Sequence, residues 1–312
     1  MTSAATPSDA NRWRYRLRFR KADDLRLVSH HDLMHCVERL LRRAELPIAY
    51  SQGFHPQPKF AFALSLALGV VGSREVLELE LTENLSADDV MARMQKHAPP
   101  GMTFLSVRTI EGKSSLLVRR AFYRFLLPSP LWGEEPGVKG QPRAETSDSP
   151  AEDQTTSVST NRDPLSSAQN EGRSPLNIDD AIAEFLAKTE AWVIRERPNR
   201  RRLNVRPFVE SLSHSDGVLN AALWITPTGA ARPEEVFSQL GLAPLIEDGA
   251  VIERSDLELL DELPEAERTM PAIVGAVSEE IPGDDRGRAA RKADSASAMP
   301  TPLLSNPLSF DT

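Results

Sequence analysis

Residues 12–20 read RWRYRLRFR, with Arg at every even position and Trp13, Tyr15, Leu17 and Phe19 between them. A period of two predicts a β-strand with one apolar face and a row of arginines on the other. After Ser29 the period changes. Leu33, Val37, Leu40, Leu41 and Ala44 recur at helical spacing and form one stripe, with Ser29 as N-cap, Asp32 three residues on and Pro47 beyond the end. The opposite face of that helix carries His31, His35, Glu38, Arg39 and Arg42. Residues 48–50 and 59–68 read as strand material interrupted by the loop SQGFHPQP, and VLELEL at 76–81 alternates again. Ser86 caps a helix with two Asp in its first turn, and MTFLSVRTI at 102–110 closes the unit as a strand.

The same order returns further on. A strand at 121–127 is followed by a helix capped by Asn177, strands at 205–212 and 218–226 joined through SHSDG, a short helix from Pro233, and a strand at 250–254. Each run is β-α-β-β-α-β, so the expected fold is α+β: two tandem ferredoxin-like units. The first covers 12–115. The second covers 120–128 and 176–262 and is interrupted by a disordered insertion at 129–175, rich in Ser, Pro, Glu, Asp and Gln. A disordered tail is expected over 270–312.

Composition adds limits. The 312 residues include 24 Pro and one Cys, Cys36, which excludes a disulfide within the chain or a Cys-built zinc or iron–sulfur site. No secretory leader and no apolar run long enough for a membrane helix is read, so a cytoplasmic, membrane-free protein is expected. The net charge of −8 is unevenly spread: residues 1–127 carry +6 and residues 227–312 carry −10. A basic N-terminal block can attract phosphate, or can be a solvated arginine-rich surface.

Three places hold candidate chemistry. His30 and His31 stand at a helix start, where free N–H groups favour an anion, and this ranks above a metal site at His31 and His35. In the loop, Gly53, Pro56 and Pro58 restrict the chain around Phe54, His55 and Lys59, a set suited to stacking on a base and neutralising a phosphate; the alternative is that Phe54 plugs the core. Arg195, Arg197, Arg200, Arg201, Arg202 and Arg206 crowd twelve residues, a phosphate or RNA contact or else a solvated loop. No Walker A, Gly-x-Gly-x-x-Gly, Gly-x-Ser-x-Gly or Cys-x-x-x-Cys-x-x-Cys motif occurs, so no cofactor is expected.

The run from Tyr15 to Val70, followed by SREVLELEL, resembles the radical-SAM-linked protein family, whose members are fused to or encoded beside cobalamin-type radical SAM proteins and often neighbour ribonuclease E/G-type proteins. The family's pattern falls here on Ser29, His30, Asp32, Leu33, Arg42, Arg43, Gly53, Phe54, Pro56, Pro58 and Lys59, with a looser match at Arg206, Pro207, Arg232, Pro233 and Glu234. Two positions depart from it: His31 replaces an apolar residue and His35 an Arg. The resemblance implies a non-catalytic accessory or substrate-recognition module with a separate radical SAM protein as partner and RNA as cargo. With the helix face, the loop and the arginine cluster read above, the candidate binding residues are His30, Asp32, Arg39, Arg42, Arg43, Gly53, Phe54, His55, Lys59, Arg200, Arg201, Arg202 and Arg206, with the arginines of 14–20 contacting phosphates. An RNA-processing enzyme on the same scaffold, with His30 or His55 as base, and a pure protein-docking module are the alternatives.

Overall fold

A computed structural model describes residues 12–111, 116–127, 177–196, 200–227 and 229–280. The expected insertion at 129–175, Arg197 and the stretch 281–312 lie outside the described residues.

Alternation in the first strand survives folding. In β1 (Trp13–Lys21), Tyr15, Leu17 and Phe19 are buried, and Lys21 lies in the interior with them. The apolar stripe of α1 (His30–Arg43) packs on that face through Leu33, Val37, Leu40 and Leu41, while the Ser29 hydroxyl caps the helix by accepting the Asp32 N–H. Then come β2 (Phe60–Phe62), β3 (Val71–Leu81), α2 (Ala87–His97) and β4 (Met102–Ile110). Val90 and Met94 of α2 join Leu77, Leu79, Leu81 and Phe104 in one core.

Strand material at 48–50 reduces to isolated bridges, Ile48 with Leu81 and Tyr50 with Pro58, and that at 59–68 shrinks to three residues. The reason is local. Pro47, Pro56 and Pro58 offer no N–H to a ladder, and the carbonyls of Leu64 and Ser65 are taken by the Arg254 guanidinium instead of a neighbouring strand.

The second half contains β5 (Val118–Leu126), α3 (Ile178–Ala187), β6 (Trp192–Arg195), β7 (Arg201–Asn204), β8 (Val209–Ser215), β9 (Val218–Thr226), β10 (Gly229–Ala230), α4 (Pro233–Gln239), α5 (Ala243–Glu247) and β11 (Ile252–Leu259). The arginine-dense segment after Ala191 thus holds a β6–β7 hairpin, whose strands flank residues 197–199, outside the described residues. Two of its arginines are held by carboxylates on other elements, Arg195 by Glu235 and Arg202 by Glu279. A short β12 (Ser278–Glu280) pairs with β7, so the stretch from 270, read as disordered in sequence, carries a strand in its first eleven residues.

The architecture is mixed α+β, dominated by one large sheet. Among the described residues its order is β10-β9-β5-β11-β3-β1-β4, with β2 on β3 and β8 on β9, and β12-β7-β6 forms a separate small sheet. β3 is the seam. Its far end pairs with β2 at Leu77–Leu79, and its near end pairs in parallel with β11, Val71 to Glu253 and Gly72 to Arg254. A second core, built on Phe125, Phe185, Phe208, Phe237 and Leu257, reaches across the seam to Leu66, Val70 and Val76.

Candidate ligand-binding cleft

At this seam the chain buries charge. Lys21 is fully enclosed, and Glu75 and Arg254 are 3% and 2% exposed. Groups this hydrophilic are buried only when paired and hydrogen-bonded. Arg254 meets both conditions: Nε donates to Glu75 Oε1 at 2.8 Å, Nη2 to Glu75 Oε2 at 2.5 Å and Leu64 O at 3.1 Å, and Nη1 to Ser65 O at 3.0 Å. Burial works against its charge, yet Glu75 and Tyr123 hold its pKa above the ordinary arginine value. Gly72 makes room for this arrangement, since a Cβ there would stand 2.5 Å from Glu75 Cγ. Arg254 therefore ties β11 of one half to β3 and the 64–65 backbone of the other.

Above this staple opens a cleft of about 520 Å³, walled by both halves. His30 and Leu66 come from the first half; Ile225, Arg195, Arg232 and Glu234 come from the second. The ring of His30 stands edge-on to Phe62 at 5.3 Å. Burial, then Lys21 and Arg254, push its pKa below the usual imidazole value, so it is neutral at pH 7. Burial likewise lowers Lys21, whose ammonium donates to the Val28 carbonyl at 2.8 Å. Across the cleft Arg195 is forked onto Glu235 at 2.6 and 2.7 Å. Glu234 is pushed up by burial and by Glu235, and its Oε2 is buried with no hydrogen-bond partner among the described residues. The arrangement offers apolar walls, a neutral imidazole, a carboxylate oxygen waiting for a donor, and Arg232 exposed at the rim. That is a binding geometry for a mainly apolar ligand with a donor edge and a negative end.

Residues 14–233 match a family described as "Uncharacterized protein conserved in bacteria (DUF2344)". The chain belongs to this family. No curated protein matches it. The crystal structure of an unknown protein from Galdieria sulphuraria aligns over 80% of this chain and 98% of its own, at 12% identity and a TM-score of 0.21, too slight a likeness to carry an argument.

The match to this DUF2344 family includes most of the cleft and ends one residue before Glu234, with Arg254 beyond it. Of the candidate binding residues only His30 lines the cleft, together with Ser29, Arg232, Pro233 and Glu234 of the family pattern and Arg195 of the arginine cluster. Asp32 accepts a 2.6 Å hydrogen bond from the Ser29 hydroxyl and serves the helix cap. His31 and His35 stack edge-on at 4.5 Å on the exposed face of α1, and no cluster of three metal-ligating side chains occurs among the described residues. Arg39 is exposed, Arg42 pairs with Glu38, and Arg43 reaches the His97 carbonyl.

The 51–58 loop closes on itself, with the Ser51 N–H donating to Gln57 O and the Gln57 N–H donating to Ser51 Oγ. Gly53 sits at φ +138°, and Phe54 and His55 project into solvent, so Phe54 does not plug the core. Lys59 pairs with Glu80 at 3.3 Å and lines a separate groove that shares no residue with the cleft.

The arginines of β1 face carboxylates. Arg14 opposes Glu80 and Arg16 opposes Glu78 across β3, and Asp256, Asp261 and Glu262 close over Arg16 and Arg18. The expected phosphate-binding row is an internal ion-pair ladder; Arg20 at its end is exposed. In the hairpin Arg200 pairs with Glu196, Arg201 is half-buried, Arg202 lies 4.6 Å over the Trp192 ring, and Arg206 donates to the Leu186 and Val209 carbonyls.

Proposed function

We propose that the protein is a substrate-recognition module without a reaction of its own, that it serves a separate radical SAM partner, and that its site is the cleft at the seam. RNA is its cargo, engaged one nucleotide at a time rather than along an arginine stripe. The observation that carries this reading is the cleft itself: both halves contribute to it, and its floor is fixed by the Glu75–Arg254 pair. A volume of about 520 Å³ lies within the range of pockets that enclose small ligands, and an extruded nucleotide is of that size. The partner is inferred from the resemblance at Ser29–Leu33 and Gly53–Lys59. Each half is read as a ferredoxin-like unit, a reading supported by matching neighbour orders, β4-β1-β3-β2 and β11-β5-β9-β8.

One observation favours a second reading. A neutral His30 in a cleft has the protonation state of a general base, as an RNA-processing enzyme requires.

The test is an affinity pulldown of the tagged protein from its own cells, with and without ribonuclease, reading RNA and proteins. Arg232→Glu, at the exposed cleft rim, is expected to abolish RNA enrichment, while Lys59→Ala leaves it intact. RNA lost with Lys59→Ala and kept with Arg232→Glu would move the site to the loop. A radical SAM protein retained after ribonuclease, with no RNA enriched, would make this a docking module. Shortened RNA after incubation with pure protein, abolished by His30→Gln, would make it an enzyme.

A further inference from the structure

We propose that Glu234 reads the edge of a nucleobase held in the cleft and selects bases that carry an exocyclic amine. The inference rests on the recognition reading above and names what the site distinguishes. Most polar groups around the cleft are already satisfied. Arg254 is bound to Glu75 and two carbonyls, and Arg195 to Glu235 and the Ala230 carbonyl. Among the described residues that line the cleft, Glu234 Oε2 is the buried side-chain atom that lacks a hydrogen-bond partner. A buried acceptor without a donor is costly to maintain, and a ligand that brings an N–H removes the deficit.

The position of Glu234 strengthens the case. It lines both the main cleft and an adjoining pocket of about 270 Å³, which share Ala67, Leu68 and Val70 as a common wall. A flat ring lying against this aliphatic wall and Ile225 would turn its edge toward the carboxylate. Adenine, cytosine and guanine each offer an amine to an ionised carboxylate. Uracil offers only a ring N–H flanked by two carbonyl oxygens, which the carboxylate repels. Arg232, exposed at the rim, stands on the solvent side, where a phosphate would remain.

The experiment is a calorimetric titration of the full chain, at pH 8 to keep the carboxyl ionised, with the 5′-monophosphates of adenosine, cytidine, guanosine and uridine. The three amine-bearing nucleotides are expected to bind about tenfold or more tighter than the uridine nucleotide, the discrimination typical of a well-placed edge contact. Glu234→Gln is expected to bring all four within about twofold, because an amide both donates and accepts. Equal binding of the four to the unaltered protein overturns the inference and leaves the recognition reading standing. A preference that survives Glu234→Gln does the same. Binding of none of the four overturns it as well, and the recognition reading then depends on whether Arg232→Glu loses RNA in the pulldown. Should Glu234→Gln fail to fold, the four-way comparison on the unaltered protein still decides.

Discussion

His30 feels two buried cations, Lys21 and Arg254, opposed by Glu75, with His31 and Asp32 beside it on the helix and Glu234 in the same cleft. Burial and the cations disfavour its protonation in the folded state, whereas in the unfolded chain it titrates near 6.5. The unfolded state therefore takes up a proton first as pH falls. Stability from this residue is complete above about 6.5 and is lost as pH falls toward the depressed folded value. Glu234, raised by burial, contributes with the opposite sign. Burial also pushes Glu80 up, but Lys59 and Arg14 hold it below its usual range, so it acts only at lower pH. Urea unfolding of the protein and of His30→Gln between pH 7.5 and 5.5 isolates the term: the unaltered protein is expected to lose stability relative to the variant over that interval, and parallel curves would contradict it.

At the scale of elements, β1 and β3 form a ladder in which the arginines of one strand oppose the glutamates of the other. Its rungs differ in environment. The side chain of Arg16 is 1% exposed and meets Glu78, Asp261 and Glu262, whereas that of Arg14 is 34% exposed and shares Glu80 with Lys59. Removing Arg16 takes the buried cation away from Glu78 and Asp261, while Glu262 keeps Arg18 and Arg108, and breaking such a buried set costs about 3–5 kcal/mol. Removing Arg14 breaks a screened pair worth about 0–1 kcal/mol. Unfolding free energies of Arg16→Ala and Arg14→Ala are expected to separate accordingly; equal losses would mean that the ladder is no more than surface charge.

Much of this element level was legible in the sequence. Period-two alternation marks β1 and β3, the helical stripes mark α1 and α2, and Ser29, Ser86 and Asn177 all cap helices. The partners of the arginines were not legible, because they lie about 60 to 245 positions away and a local pattern carries no such information. The β6–β7 hairpin was missed because its strands are four residues long and dense in arginine. One signal for the site was present. Lys21 continues the buried parity of Tyr15, Leu17 and Phe19, and a lysine on an apolar face implies a buried partner. Arg195 stood out only as one of a crowd of arginines and Glu234 only through the family pattern, and Glu75 and Arg254 gave no sign, since each becomes part of a site only when the two halves meet at β3 and β11.

For the whole molecule, part of the basic N-terminal block is neutralised by the C-terminal part among the described residues, with Asp256, Asp261 and Glu262 closing over Arg16 and Arg18. No helix among the described residues is long and apolar enough to cross a membrane. With that arginine stripe neutralised, the proposed reading places RNA recognition in the cleft and expects a shallow salt dependence, set by one or two phosphates. The most direct measurement of that central claim is amide hydrogen exchange of the full chain with and without a saturating short RNA. The account predicts slowed exchange confined to the seam, at residues 30–31, 64–70 and 229–235, with the 51–59 loop and the β6–β7 hairpin unchanged. Protection centred on the loop or the hairpin, with the seam unaltered, would contradict it.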